Sequence, residues 1–189
     1  MESPVREPIS MMTVATLLVV MTVIFKWFYK PAKAWSFSAY PPAEAKGGCE
    51  VVPEKTAVVC IEFQNEFTSV GGKLFPAVKA NMASTGMIAK AALVCERVRA
   101  AGGKVIHAPI MFKADASDNP NKGLGILAGC AKDGLFTEGT WNADFCPLMK
   151  PAAGDAVLNG KKGLDAFSNT DLDELLRGQG VETVVLMGF

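Results

Sequence analysis

Apolar positions along the 189-residue chain fall into two regimes, one continuous and one periodic. Residues 9–25 (ISMMTVATLLVVMTVIF) run without a charge, and Trp27, Phe28 and Tyr29 follow among Lys26, Lys30 and Lys33. A membrane-spanning helix needs about 20 apolar residues, and Trp and Tyr gather at the membrane–water interface. The pattern predicts a single-pass transmembrane helix over residues 9–29, after an N-terminal tail of residues 1–8. Two readings compete with it: a buried core helix, which Pro4, Pro8 and Pro31 set apart from the domain, and a cleaved signal peptide with Ala32-Lys33-Ala34 as its cleavage site. Such a peptide needs a basic region ahead of its apolar run, and Glu2, Arg6 and Glu7 do not supply one. The lysines after the run place the downstream residues on the cytoplasmic side. Residues 30–53 carry Pro41, Pro42, Gly47 and Gly48 without periodicity and read as a linker.

The remainder, residues 54–189, alternates short β-branched runs with helical spacing. Thr56–Ile61 (TAVVCI) has the continuous apolar character of a strand buried on both faces. Over residues 77–101, Met87, Ala91, Val94 and Val98 recur at helical intervals, predicting one helix closed by Gly102-Gly103. Lys104–Ala108 (KVIHA) is the next strand, and strand, helix and strand make a right-handed βαβ unit with parallel strands. Residues 112–151, rich in Gly, Asn, Asp and Pro, predict a long functional loop at a pocket rim. Within it Gly123-Leu124-Gly125 lacks the strand-then-helix setting of a dinucleotide fingerprint and reads as flexible loop. Residues 155–158 predict a short strand. Thr170-Asp171-Leu172-Asp173 has the form of a capping box opening a helix that buries Leu172, Leu175 and Leu176. Residues 182–187 (ETVVLM) predict a third buried strand, which calls for a covering helix on each face. The fold class is α/β, with a parallel sheet.

Composition narrows the function. With 19 basic and 19 acidic residues the net charge is zero, which removes the basic footprint of a nucleic-acid binder. The five cysteines, Cys49, Cys60, Cys95, Cys130 and Cys146, are odd in number and form no CxxC pair. They argue against a disulfide framework or a cysteine-built zinc site, and for a reducing compartment.

Candidate chemistry rests on two charged residues. Glu62 directly follows the first strand, and Lys161 follows the short strand at 155–158. Facing each other in a partly buried cleft, a carboxylate and an ammonium would stabilise each other's charged forms. With a thiol added, they would be the elements of nucleophilic catalysis. Read from the residues alone, a structural ion pair at a strand end outranks catalysis.

Three motifs shift that balance. Glu62-Phe63-Gln64-Asn65-Glu66-Phe67 after an apolar strand resembles the Asp-x-Gln-Asn-x-Phe signature of the isochorismatase-like cysteine hydrolases. Lys161 with Asp165-Ala166-Phe167-x-x-Thr170-x-Leu172 is similar to that family's lysine motif, Lys-x-x-x-Ser-x-Phe-x-x-Thr-x-Leu. Val184-Val185-Leu186-Met187-Gly188 resembles the strand and glycine that lead into its cysteine loop. The resemblance spans about residues 56–189 in family order. It implies a three-layer, Rossmann-like fold and a carboxylate, lysine and cysteine triad acting on a small amide-like C–N bond. Glu62 and Lys161 would be its catalytic members here, with Gln64, Phe67 and Phe167 as substrate contacts. The cysteine would come a few residues after Gly188, beyond Phe189, and none of the five cysteines present matches it. The 189 residues are therefore expected to be a fragment, incomplete at the C-terminus and itself inert as a cysteine hydrolase.

Two departures stand inside the motifs. Glu62 replaces the family's aspartate, and a misplacement on the order of 1 Å can cost about 100-fold in rate. Asp165 replaces a serine and adds negative charge near Lys161. Nicotinamidase-like members bind a metal through an aspartate and histidines. His107, the only histidine, cannot supply that set, so no metal and no cofactor is expected, and His107 reads as a satisfied strand histidine. Cys60 reads as a small buried hydrophobe. The alternative function is a non-catalytic relative, a membrane-tethered module binding a small ligand or a partner. A homo-oligomer stays open.

Overall fold

The computed structural model describes residues 51–189. The tail, the apolar segment and all but the end of the linker lie outside the described residues. Among the described residues no helix is long and apolar enough to cross a membrane.

A 3-10 turn at Pro53–Lys55 leads into β1 (Thr56–Ile61). After it come α1 (Asn65–Thr68), α2 (Phe75–Thr85), α3 (Met87–Ala100), β2 (Lys104–Ala108), α4 (Gly125–Asp133), β3 (Ala156–Val157), α5 (Leu172–Gly178) and β4 (Thr183–Gly188). The four strands form one sheet in the order β3-β2-β1-β4, and every pairing is parallel.

Strand alternation sorts β1 between two cores. Val58 and Cys60 point to one face and pack with Ala91 and Cys95 of α3. Ala57 and Val59 point to the other and pack with Leu172 and Leu176 of α5. The sheet is thus the middle of three layers, as expected for parallel strands that bury both faces. A third cluster, Ile110, Phe112, Leu127, Cys130, Leu135 and Phe136, lies beneath α4.

Four sequence expectations are corrected. The single helix over 77–101 is two, because Gly86 adopts φ 63°, ends α2 and precedes α3; a left-handed residue cannot continue a helix, and glycine takes that conformation without a Cβ penalty. The 112–151 loop holds α4, so Gly125 opens a helix rather than lying in flexible loop. Leu127 and Cys130 are its buried stripe, and Gly134 in the left-handed region stops it. Only Ala156–Val157 of the short strand at 155–158 is paired. Finally, β4 is not buried: Val184, Val185 and Leu186 are 40%, 41% and 63% exposed. Among the described residues β4 pairs only with β1.

Candidate active site

The C-terminal ends of β1, β2 and β4 converge on Glu62. In open α/β sheets this end of the strands is where ligands bind. Glu62 itself has φ 57°, a conformation that costs an L-residue roughly 1–2 kcal/mol. Its amide donates to the Ala108 carbonyl at 3.2 Å, which fixes the strained residue to the exit of β2. Such backbone strain is characteristic of sites where geometry is dictated by chemistry.

Lys161 is fully buried, and its Nζ donates to Glu62 Oε1. Its neighbour Lys162 turns the other way, to Asp118 Oδ2 at 2.7 Å and to the Met111 carbonyl at 2.7 Å. Only the first of the two adjacent lysines thus serves the carboxylate. Burial pushes the Glu62 carboxyl above the ordinary glutamate range, against the opposing charge and hydrogen bond of Lys161. Desolvation disfavours the charged form while the ammonium favours it, and burial is the larger effect here.

Glu62 stands at one wall of a cavity of about 400 Å³. Phe67, Ile110, Leu127, Phe136 and Leu164 are among its apolar lining residues, and Cys130 borders it. A more open cleft of about 540 Å³, bordered by Asp118, Asn121 and Lys162, shares Ile126, Leu127 and Leu164 with it. Phe67 is packed in place by Phe136, with ring centroids 5.4 Å apart, and stacks on Phe189 at 4.8 Å.

The other motif residues fall in different places. Gln64 is fully buried and does not line the cavity. Its Nε2 donates to the carbonyls of Ile110 (2.9 Å) and Ala143 (2.7 Å), while its Oε1 accepts from the Ile110 amide at 2.9 Å. The side chain therefore stitches the exit of β1 to the exit of β2 and to the 141–149 segment. Glu66 is also fully buried, accepting from the Lys73 amide and from Asn142 Nδ2. Phe167 is half-exposed and outside the cavity. Asp165 turns onto Phe167 and Ser168, whose amides donate to it at 2.9 and 3.2 Å. These bonds, with the Ser168 hydroxyl foremost, hold its carboxyl below the ordinary aspartate value.

Gly188 explains the strand-end glycine physically. A Cβ there would lie 2.0 Å from the Ile61 carbonyl oxygen, and φ is 145°. Only glycine lets β4 pass this close to β1, beside Glu62. The Phe189 amide then donates to the same Ile61 carbonyl at 3.3 Å.

One polar network was not foreseen. Asp155 takes a bidentate bond from Arg99 (2.8 and 2.7 Å) and contacts His107 Nε2 at 3.0 Å. His107 meets Asp155 through Nε2 on its strand, while among the described residues its buried Nδ1 has no hydrogen-bond partner. Burial pulls the His107 pKa down, against Asp155, so the neutral ring donates from Nε2–H to the carboxylate. Burial alone would raise Asp155, but bonds from Arg99, Ala152 and His107 outweigh it and hold its carboxyl below the ordinary range. Among the described residues no group of three or more His, Cys, Asp or Glu side chains could hold a metal ion.

A parallel three-layer sheet with a buried carboxylate–lysine pair at its strand ends defines an α/β domain whose candidate site lies at the strand exits. The chain belongs to the Isochorismatase domain family, which matches residues 56–189. It is 30% identical over 152 residues to a ureidoacrylate amidohydrolase of Serratia proteamaculans, covering 72% of this chain and 59% of that protein. It is 34% identical over 139 residues to a maleamate amidohydrolase of Pseudomonas putida, covering 71% and 59%. Among solved structures, an isochorismatase family protein from Desulfovibrio vulgaris superposes with a TM-score of 0.58 at 30% identity, covering 71% of this chain and 67% of that one. The N-carbamoylsarcosine amidase of Thermoplasma acidophilum gives 0.54 at 28%, with the same coverage. The chain thus spans about three-fifths of the length of these curated relatives.

Proposed function

We propose that this domain is the carboxylate–lysine half of a cysteine hydrolase acting on a small amide-like C–N bond. The buried Glu62–Lys161 pair at the wall of an apolar cavity is the observation that carries the reading. The names of the relatives, amidohydrolases and an amidase, support the bond type. Glu62 is the general base: it takes the proton of a cysteine thiol, and the thiolate attacks the carbonyl carbon. As the C–N bond breaks, Glu62 returns that proton to the leaving nitrogen. It then activates the water that hydrolyses the thioester. Lys161 holds the carboxylate in place and stabilises its charged form. By the family resemblance the thiol belongs to the residues after Gly188, and the close approach of Gly188 to Ile61 would deliver it next to Glu62. Phe67 would contact the acyl group, Gln64 would hold the wall it stands on, and Phe167 would contact substrate only at the mouth.

The N-terminal segment extends the proposal. Residues 9–29 would tether the domain to a membrane as a single-pass helix, with the hydrolase on the cytoplasmic side, because the lysines lie on the domain side of the apolar run.

The test is ammonia release from a panel of small amides by a polypeptide that carries the proposed cysteine. Replacing Glu62 with Gln should reduce turnover by about 100-fold or more, the scale of general acid–base catalysis. Unchanged turnover would reject Glu62 as the base. A folded wild-type protein that turns over no amide in the panel and takes up no thiol-directed probe would favour the non-catalytic ligand-binding alternative.

A further inference from the structure

Outside the candidate site, two thiols meet where β1 packs on α3. Cys60 Sγ and Cys95 Sγ lie 3.5 Å apart, both buried in the cluster that also holds Val58, Phe63 and Ala91. A disulfide needs its sulfurs about 2.0 Å apart, so side-chain rotation and a small shift must close the remaining gap. The neighbourhood is polarised rather than purely apolar. Arg99 lies four residues after Cys95 on α3, and so shares its helix face. It is anchored by two hydrogen bonds to Asp155. Both Arg99 and Asp155 act on the two thiols electrostatically.

We propose that Cys60 and Cys95 are a site of reversible oxidation, forming an intramolecular disulfide with hydrogen peroxide as the oxidant. Peroxide is close to water in size, which suits a buried pair reached through local opening. Either thiol can donate across the 3.5 Å contact, and the charge of Arg99, one turn further along α3, favours a Cys95 thiolate. A Cys95 thiolate is the nucleophilic form that starts the reaction. Its sulfur attacks one peroxide oxygen, the O–O bond breaks, and the departing hydroxide takes the proton that Cys95 released on ionising, to leave as water. Cys95 is now a sulfenic acid. The Cys60 sulfur attacks the Cys95 sulfur, the S–O bond breaks, and the Cys60 proton leaves with the hydroxyl as a second water. Two thiols have lost two electrons, and one peroxide has become two waters.

The bridge would tie β1 to α3 two residues before Glu62. It would also close the chain between positions 35 apart in sequence. Cross-linking such a loop restricts the unfolded chain and stabilises the fold.

Peptide mapping of the full chain tests this. The protein is treated with peroxide, alkylated without reduction, and digested with trypsin. The expected product joins peptides 56–73 and 91–97, lighter by two hydrogens than the reduced pair, and dithiothreitol returns both. Its urea midpoint should rise on oxidation and fall back on reduction. In Cys95→Ser, Cys60 should be recovered alkylated and unbridged. If that variant does not fold, Cys146→Ser serves, and the 60–95 bridge should survive in it. Recovery of both thiols unbridged would overturn the proposal. So would pairing of either with Cys49, Cys130 or Cys146, a disulfide between two copies, or an unchanged or lower urea midpoint in the bridged form.

Discussion

Replacing Lys161 with methionine isolates the energetics of the buried pair. The lysine side chain is 0% exposed and that of Glu62 is 8% exposed, so the substitution leaves a carboxylate in the interior without its cation. Removing one partner of a buried ion pair costs about 3–5 kcal/mol, and that is the loss expected at pH 8. The loss has a sign in pH. Burial already raises the Glu62 pKa, and Lys161 is what pulls it back, so the variant's folded pKa rises further above the unfolded value of about 4.3. Between those two values the folded state holds a proton that the unfolded state has released. Stability of the variant therefore increases as pH falls through the folded pKa, by at most about 1.4 kcal/mol per pH unit for one group. Urea unfolding of wild type and Lys161→Met at pH 5, 6.5 and 8, monitored by circular dichroism, reads this out. The deficit should be largest at pH 8 and shrink towards pH 5. The double variant Glu62→Gln/Lys161→Met should recover most of it, because no buried charge remains. A deficit below about 1 kcal/mol at pH 8, or one independent of pH, would refute the reasoning that burial and pairing compete at this carboxylate.

Other contacts give three further expected outcomes. Gly188→Ala places a Cβ 2.0 Å from the Ile61 carbonyl oxygen at φ 145°, so it should cost on the order of 3 kcal/mol or more; hydrogen exchange should show faster opening at Val184–Met187 than in wild type. Gln64→Leu removes three buried hydrogen bonds and leaves Ile110 and Ala143 backbone groups unpaired, a loss of about 3 kcal/mol measurable by thermal unfolding. His107 and Asp155 both have depressed pKa values, so each contributes stability that is lost as pH falls. The loss begins below the unfolded histidine value of about 6.5 for His107 and below about 3.9 for Asp155. In a urea titration from pH 7.5 to 2.5, Asp155→Asn should flatten the second step while lowering stability at pH 7; an unchanged acid limb would remove Asp155 from its cause.

What the sequence made legible was what hydrophobic period encodes. β1, β2, β4 and α3 emerge from continuous or four-residue spacing, and Glu62 and Lys161 stand out because charges sit where apolar runs stop. The break at Gly86 was hidden because the apolar spacing of α3 was extended backwards over a residue whose φ no periodicity reports. The helix α4 was obscured by its glycine-rich composition, although Leu127 and Cys130 at a three-residue interval, closed by Gly134, carried the signal. β4 is exposed among the described residues although its apolar run reads as buried, because hydrophobicity reports what a strand can bury and not what covers it. The roles of Gln64 and Asp155 were out of reach for another reason. Their partners lie 46 to 79 residues away for Gln64 and 56 residues away at Arg99 for Asp155, and pairing over such separations leaves no pattern in a single sequence.

The pH dependence of kcat/KM for amide hydrolysis bears most directly on the central claim, that Glu62 held by Lys161 is the acid–base group of this site. It would be measured on a polypeptide carrying the proposed cysteine. Activity should fall on the acid side with an apparent pKa above the ordinary glutamate value, because protonated Glu62 cannot accept the thiol proton and burial raises its pKa. That limb should disappear in Glu62→Gln, whose residual rate is low at every pH. An acid limb that persists unchanged in Glu62→Gln would contradict the account.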